Sequence, residues 1–200
     1  MLLLVLVSDA PPEPGSAAEA AAAHPAVVVR RAIGTDLGDV LALYDEAVAW
    51  LAALGRADQW GTAPFTSRPE VVAMIRGRVR TDRMWLARAG SRTVGAIVLG
   101  GPAPSYIPVP AGEPEIYLSG FVTTRAPEGR EAGRALLAYA RDTARRAGIG
   151  VLRLDCYAGG DGALVRYYES AGFRRVARFT VELLGSPYRG CLLEQRLPPG

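Results

Sequence analysis

The sequence predicts one α/β (α+β) domain built on a mixed β-sheet with helices packed against it. Its 200 residues suit a single domain with a substantial core, and half of them are apolar. Strand and helix patterns follow the order β-α-α-β-β-β-α-β-α-β-β, giving six to seven strands and about four helices. Near the centre, a long helix separates two apolar strands. That unit predicts a central parallel strand pair joined by a right-handed crossover.

The first half of the chain predicts a strand, two helices and a hairpin. VVVRRA is a β-branched run typical of a strand, and apolar residues then recur at helical spacing from Thr35 to Gly55. A second helix has Pro69 in its first turn, and Ser67 and Glu70 stand at the spacing of a capping box. RMWLAR and TVGAIVLG, separated by a short turn, predict a β-hairpin.

A Pro- and Gly-rich segment, residues 100–114, leads into the second half. Segments of this length in compact domains are often functional or mobile. EIYLSGFVTT predicts the next strand, and the main helix follows it, with Gly148 as its C-terminal cap. VLRLDCY predicts a strand, ALVRYYESAG a helix, and FRRVARFTVELL and CLLEQRL the closing strands.

Residues 1–26 are expected to form a flexible N-terminal extension, and residues 27–200 the folded domain. MLLLVLV is too short and lacks the positive flank of a secretory signal, so we expect neither a signal nor a membrane anchor. SDAPPEPGSAAEAAAAHP has the Pro/Ala/Glu-rich composition of a flexible segment, although a start codon assigned too far upstream would produce the same pattern. A cytoplasmic protein is therefore expected.

The charged residues favour a small anionic ligand over nucleic acid. All 23 basic residues are Arg, and they are scattered along the chain with a net charge of only +3. Cys156 and Cys191 show neither metal-ligand spacing nor a disulfide framework, so reduced thiols and no metal are expected. The single histidine, His24, falls in the extension and receives no catalytic role.

The stretch RAPEGREAGRALLAYARDTARRAG, from Arg125 to Gly148, predicts an anion site. A strand enters a glycine-containing turn that continues directly into a helix. Such a turn directs unpaired N–H groups and the positive end of the helix dipole toward one point, where a pyrophosphate fits most naturally. Taken alone, a glycine turn before a helix is also explained by chain geometry.

A second motif, ALVRYYESAGF followed by a strand, makes the chain resemble the GNAT N-acetyltransferase superfamily. The resemblance covers residues 27–197 and pairs the family's loop pattern, Q/R-x-x-G-x-G/A, with its Tyr-x-x-x-Gly-Phe segment. WLAALGRADQWG, LRLDC and YYESAGF are similar to an actinobacterial branch of small-molecule-type GNAT enzymes. The resemblance implies that the loop binds acetyl-CoA through these residues: Gly129, Arg130, Glu131, Ala132, Gly133, Arg134 and Ala135.

The loop departs from the family pattern at two positions. Glu128 replaces Gln or Arg, and Glu131 replaces the central glycine. A carboxylate beside a pyrophosphate is repulsive unless its side chain points into solvent. A further departure is Asp161, which stands where many relatives carry Asn and retains the ability to cap a helix.

The resemblance implies transfer of an acetyl group from acetyl-CoA, as co-substrate, to a primary amine of a small molecule by direct attack. Two alternatives stay open: acetylation of protein N-termini or lysines, and a degenerate module that binds CoA without turnover. The expected partner is the amine, with neither nucleic acid nor membrane. A homodimer is compatible with the family.

Acetyl transfer needs a group that protonates the departing thiolate and contacts that hold the thioester. By resemblance, Tyr168 is the acid, while the alternative gives Tyr168 a packing role and Tyr167 the polar one. The backbone of Phe121 and Val122 is expected to bind the pantetheine arm or the carbonyl.

The amine also needs a base, for which the sequence offers two carboxylates. Glu115 begins the strand where several relatives place a glutamate that acts through water, and the alternative is an exposed loop carboxylate. Asp155 points opposite to its neighbours by strand alternation, and is expected either to bind or deprotonate the amine or to hold a loop. Gln59 and Trp60 are similar to an acceptor-side segment, although a tryptophan there also suits packing.

Overall fold

The computed structural model describes residues 25–81, 83–183 and 186–198, which build one seven-stranded sheet with helices on both faces. The strands are β1 (Val27–Arg31), β2 (Met84–Ala89), β3 (Arg92–Leu99), β4 (Glu115–Thr123), β5 (Val151–Tyr157), β6 (Arg174–Leu183) and β7 (Ser186–Arg196). The α-helices are α1 (Leu37–Ala53), α2 (Ala57–Trp60), α3 (Pro69–Arg80), α4 (Glu128–Arg146) and α5 (Ala163–Ser170), with two 3₁₀ turns at Gly34–Asp36 and Phe65–Ser67.

The sheet has the order β1-β2-β3-β4-β5-β7-β6, and only its central pair, β4 and β5, is parallel. The other neighbouring strands pair antiparallel. Helix α4 is the crossover that joins β4 to β5. The predicted fold class, a mixed and mostly antiparallel sheet with a central parallel pair, is therefore confirmed.

Two cores lie on opposite faces of the sheet. On one side, here called the α4 face, apolar residues of α4 and α5 pack against the strands. On the other side, the α1 face, residues of α1 and α3 pack against β2, β3 and β4. The side chains of a strand alternate between these two cores, because successive residues point to opposite faces of a sheet.

Strand β5 is buried along its whole length. Leu154 and Cys156 belong to the core on the α4 face, whereas Tyr157 belongs to the core on the α1 face. Alternation therefore places Arg153 and Asp155, which are 1% and 3% exposed, on the α1 face. Two charged side chains in the central strand are costly to bury without partners, which makes this face the first place to look for function.

Several sequence-based details differ from the structure. The short helix α2 was not predicted. The expected capping box is not formed, because Ser67 belongs to the preceding 3₁₀ turn and donates its hydroxyl to the carbonyl of Pro64 at 2.7 Å. Of the expected extension, residues 1–24 lie outside the described residues. None of the described helices combines the length and the apolar character that a membrane crossing requires.

Candidate active site

The site forms where β4 and β5 separate. Their parallel pairing runs from Glu115 opposite Val151 to Leu118 opposite Leu154 and continues no further along the described strands. Beyond that point β4 keeps its pairing with β3, and β5 keeps its pairing with β7. A gap therefore opens between the two strands, and it connects the α4 face with the α1 face.

The backbone of β4 has hydrogen-bonding groups directed into this gap. Thr124 donates its N–H to Val94 of β3 at 3.0 Å, so alternation turns the N–H and C=O of Val122 toward β3 as well. The same alternation directs the backbone of Phe121 the opposite way, toward the missing β5 partner. Of the two residues expected to contact the pantetheine arm, Phe121 is the one with suitably directed groups.

The predicted anion loop begins α4 on one side of the gap. The N–H of Gly129 is already bonded to the carbonyl of Ala126 at 2.9 Å, so that amide is committed to the turn. Glu131 is exposed, and Glu128 pairs with Arg92 at 3.2 Å. Both unexpected carboxylates are thus accommodated, one at the surface and the other by an arginine.

A cleft of about 580 Å³ lies between α4 and α5, next to this loop. It is lined by Arg130, Arg134, Leu137, Arg141, Tyr167, Ser170 and Ala171. Three of these side chains are arginines on one stripe of α4, so the cleft carries the positive charge that an anionic ligand such as a nucleotide phosphate requires. Arg130 and Arg134, predicted as cofactor contacts, are therefore brought together, with Ala132 and Gly133 buried beneath them.

The loop is held in place from the α1 face by Glu46, which the sequence did not single out. Its carboxylate accepts the hydroxyl of Thr124 at 2.9 Å and the N–H of Arg125 at 2.6 Å. These contacts connect α1 to the turn that precedes α4. Glu46 sits on a helix far from the loop in sequence, so no local pattern marks it.

Tyr168 approaches the gap from the α4 face. Its ring is fully buried and packs edge-on against Tyr167 and Phe173, with centroid distances of 5.2 and 5.7 Å. Its hydroxyl is buried and has no hydrogen-bond partner within the described residues. Burial raises the pKa of Tyr168 well above its ordinary value, so the phenol stays protonated. A buried hydroxyl without a partner is costly, and a ligand atom at the gap would satisfy it.

Asp155 lies on the opposite, α1 face. Tyr117 donates its hydroxyl to one carboxylate oxygen at 2.5 Å, and Tyr188 donates to the other at 3.3 Å. Burial raises the pKa of Asp155 to about 6, while the hydrogen bonds from the tyrosines lower it. This carboxyl can therefore take up and release a proton near neutral pH.

Three further side chains of the α1 face were not found by sequence reasoning: Tyr44, Arg78 and Tyr106. They come from α1, α3 and the segment 100–114, so only the tertiary fold brings them to β4 and β5. Arg78 donates to the carbonyl of Ser119 at 2.9 Å. Tyr106 lies in segment 100–114, and its pKa is raised by burial and by the nearby charge of Asp155.

Glu115, one of the two carboxylates expected to serve as the base, does not stand at the gap. It begins β4 opposite Val151, where the two strands are still paired, about 13 Å along the strand from Ser119. Its carboxylate pairs with the buried Arg153 at 3.3 Å. The sequence alone does not show at which end β4 and β5 separate, so the position of Glu115 relative to the gap could not be predicted.

Gln59 and Trp60, expected on the acceptor side, lie in and next to the core of the α1 face. Trp60 is buried in the core of the α1 face, with its ring 5.9 Å from Tyr44 and 5.3 Å from Phe65. The side-chain nitrogen of Gln59 is buried without a hydrogen-bond partner in the described part of the chain. Asp161 accepts the N–H of Ala163, the first residue of α5, at 3.1 Å, but the N-cap position itself is occupied by Gly162.

Comparison with known proteins adds a family model and several solved structures. Residues 42–173 match the model of the acetyltransferase (GNAT) family. The chain is similar to a ribosomal-protein-alanine N-acetyltransferase from Brucella melitensis, with 22% identity, a TM-score of 0.60, and coverage of 85% of this chain and 99% of that one.

Two further solved structures are similar to the chain in fold. One is yncA of Salmonella typhimurium, a provisionally assigned acetyltransferase solved with acetyl-CoA, at 20% identity and a TM-score of 0.58 over 88% of this chain and 96% of that one. The other is a provisionally named phosphinothricin N-acetyltransferase, at 22% identity and a TM-score of 0.62 over 86% and 99%. No curated protein sequence matches the chain. At these identities the structural likeness supports the fold.

Proposed function

Because its match to the family model spans residues 42–173, the chain belongs to the acetyltransferase (GNAT) family, and from this premise we propose that it acetylates a primary amine of a small molecule. Members of this family are acyl-CoA-dependent N-acetyltransferases, and acetyl-CoA is the donor. The actinobacterial small-molecule branch, to which WLAALGRADQWG and YYESAGF are similar, is part of the proposal.

One observation carries this proposal: a carboxylate and a phenol flank the gap from opposite faces of the sheet. Asp155 is buried on the α1 face, and Tyr168 is buried on the α4 face. Acetyl transfer needs a base on the amine side and an acid on the thiol side. The two residues meet that requirement from opposite directions.

The residues around the gap also fit the donor. The positive cleft beside α4 suits its phosphates, and the backbone of Phe121 suits the pantetheine arm or the thioester carbonyl. The hydroxyl of Tyr168, which has no hydrogen-bond partner in the described structure, suits the sulfur. Glu131 departs from the family pattern and is the reason to consider a degenerate CoA-binding module. It is exposed and does not obstruct this arrangement.

In the proposed reaction, Asp155 holds the ammonium of the acceptor and takes its proton. Tyr117 and Tyr188 keep the carboxylate oriented, and a carboxylate has about four acceptor sites, which leaves room for an amine. The donor supplies the acetyl group as a thioester. The amine nitrogen forms the new C–N bond as the C–S bond breaks, and Tyr168 gives its proton to the departing sulfur. The nitrogen then loses its second proton, which returns to Tyr168 through solvent, and Asp155 releases the first proton to solvent.

The acceptor side favours a small molecule over a peptide chain. Asp155 is only 3% exposed, and Tyr106 of segment 100–114 lies beside it, so the α1 face is covered at this point. A buried and covered carboxylate suits a compact acceptor. Acetylation of a protein N-terminus or lysine would need a groove open to a chain.

A thiol-release assay tests the function. Acetyl-CoA is mixed with amino acids, polyamines, aminoglycosides and peptides with free N-termini, and release is compared with an amine-free control. We expect release with at least one class of small amine and its loss in Asp155→Asn. Release with peptides alone would replace the proposal with a protein acetyltransferase. If none of the amines supports thiol release although CoA binding is measured, the proposal is replaced by a CoA-binding module.

A further inference from the structure

The α1 face carries a positive group as well as a negative one. Arg78 reaches it from α3 and donates to the carbonyl of Ser119, two residues along β4 from Tyr117, the tyrosine that binds Asp155. Two residues of a strand span about 6.6 Å. The two charges are therefore held by neighbouring positions of the same strand, on the same face, at the point where the gap opens.

The chain makes room for the guanidinium at Gly120. A Cβ atom at this position would lie 2.9 Å from Nη1 of Arg78 and 3.3 Å from the hydroxyl of Tyr44. Burial lowers the pKa of Arg78, but an arginine keeps its charge in proteins. A side chain at residue 120 would displace the cation from the gap, so its glycine admits a permanent positive charge there.

A hydroxyl group without a partner stands beside this cation. Tyr44 is fully buried, and its hydroxyl has no hydrogen-bond partner within the described residues. A Cβ atom at Gly120 would contact both that hydroxyl and Arg78, so the two groups lie close together. A buried donor that lacks an acceptor next to a guanidinium forms the surroundings that an anionic oxygen would complete.

Tyr106 also connects the two charged groups. Its hydroxyl interacts with the carboxylate of Asp155; burial and this carboxylate raise the pKa of Tyr106, and the charge of Arg78 lowers it. The partners of Asp155 are tyrosine hydroxyls, so the face presents a cation and an anion separated by aromatic side chains.

We propose that the acceptor is an α-amino acid, whose amino group binds Asp155 while its carboxylate binds Arg78 and Tyr44. This inference rests on the proposed function, because it names the substrate class of the same site. A zwitterion brings one charge of each sign, a few ångströms apart, and so matches a site with a buried carboxylate and a half-buried guanidinium. Peptide N-termini and simple alkylamines lack the adjacent carboxylate.

A competing explanation gives Arg78 a purely structural role, in which it ties α3 to β4. That role would affect all acceptors equally. Selectivity between an amino acid and the same molecule without its carboxylate separates the two explanations, because only a direct contact with the carboxylate changes it.

The experiment measures kcat/KM by thiol release for three matched acceptors: L-phenylalanine, L-phenylalaninamide and phenethylamine. L-Leucine with isoamylamine, and L-methionine with 3-(methylthio)propylamine, extend the series to other side chains. The parent is expected to prefer an amino acid over its decarboxylated amine by roughly 10–100-fold, the range of a charge-assisted hydrogen bond. This comparison needs no variant.

Variants then test which side chains cause the preference for an amino acid over its decarboxylated amine. Arg78→Gln is expected to remove most of it by raising KM for the amino acids alone, and Arg78→Lys to restore part of it. Arg76→Gln, on an exposed position of the same helix, is the matched control and is expected to leave the preference unchanged. Tyr44→Phe is expected to weaken the preference, and it keeps the inference testable if Arg78→Gln does not fold.

The outcomes separate the inference from the function. Acetylation of the amines as fast as of the amino acids overturns the inference and leaves the function standing, as does a preference that survives in a folded Arg78→Gln. If none of the acceptors supports thiol release, calorimetry measures the binding of L-phenylalanine to the protein in the presence of CoA. Binding of L-phenylalanine that depends on Arg78 keeps the inference and overturns the function. Absence of L-phenylalanine binding overturns both.

Discussion

Asp155 combines burial, three nearby tyrosines and a position at the gap, and its proton affinity follows from that environment. Burial disfavours the ionised carboxylate and raises the pKa of Asp155 to about 6, because the hydrogen bonds from Tyr117 and Tyr188 offset only part of the cost. Below that pH the group is protonated and cannot accept a proton from the amine. Above it, the group is ionised and ready.

We therefore expect kcat/KM to rise with pH and to level off above about 6. Asp155→Asn should lower kcat/KM by roughly 10²–10⁴-fold and remove this rise, since an amide cannot take the proton. Initial rates across pH 5 to about 8 check both statements. Glu115→Gln is the matched control and should keep the rise. If Asp155→Asn retains a rise that overlays the parent profile, another group removes the proton.

Tyr168 is the proposed acid that protonates the departing thiolate. Tyr168→Phe should lower kcat by roughly 10²–10⁴-fold, the usual contribution of a general acid, while the affinity for CoA barely changes because the ring still packs. The buried hydroxyl of Tyr168 is unpartnered in the described structure, so its loss should not lower the melting temperature.

The control for Tyr168 is Tyr167→Phe, which should retain most of the activity. Single-turnover rates establish that chemistry is measured rather than product release. A loss of less than about threefold in Tyr168→Phe under those conditions would return Tyr168 to a packing role, and a large loss in Tyr167→Phe would transfer the acid role to its neighbour.

At the scale of residues, local sequence patterns predict only part of the site. Strand alternation predicts the face on which Asp155 lies, and a motif places Tyr168 in α5. Tyr44, Arg78 and Tyr106 come from three separate segments and meet only through the tertiary fold, so no spacing in the sequence announces them. Glu115 was misplaced because its sequence does not say where the parallel pair opens.

The start of α4 shows how an element can be predicted for an incomplete reason. Gly129 was expected to let a pyrophosphate approach the backbone. In the structure, a Cβ atom at this residue would lie 2.0 Å from the carbonyl oxygen of Thr124, so the turn itself demands glycine. Thr124 is in turn held by Glu46, so the turn has little freedom to move away.

Gly129→Ala should therefore displace the start of α4 and weaken CoA binding, together with a lower melting temperature. Gly77→Ala in α3 is the control: no atom lies within 4 Å of its added Cβ, and alanine is the better helix former by about 1 kcal/mol. Calorimetry with CoA and thermal unfolding measure the two effects. Unchanged affinity in Gly129→Ala would mean that the start of α4 does not determine the cofactor site.

At the scale of elements, the sequence predicts what is local and periodic. Helices α1, α3, α4 and α5, the hairpin of β2 and β3, and the parallel crossover all follow from spacing and turn residues. Gly148, predicted as the cap of α4, has a φ of 67°, as that role requires. The short helix α2 has no periodic pattern of its own, and its tryptophan packs into a distant core.

At the scale of the whole molecule, we propose that donor and acceptor bind on opposite faces of one sheet and meet at the gap between β4 and β5. No cysteine lies ready to carry the acetyl group there: Cys156 is buried, and burial raises its pKa well above the ordinary value, so the thiol stays protonated. The account therefore requires both substrates to be bound before the acetyl group moves.

Initial rates at several fixed concentrations of acetyl-CoA, over a range of amine concentrations, test this requirement directly. Direct transfer in a ternary complex predicts double-reciprocal lines that intersect, whereas a covalent acetyl-enzyme gives parallel lines. A site that binds both substrates at once predicts intersecting lines and no release of thiol before amine is added. Parallel lines, with one equivalent of thiol released in the absence of amine, would contradict it.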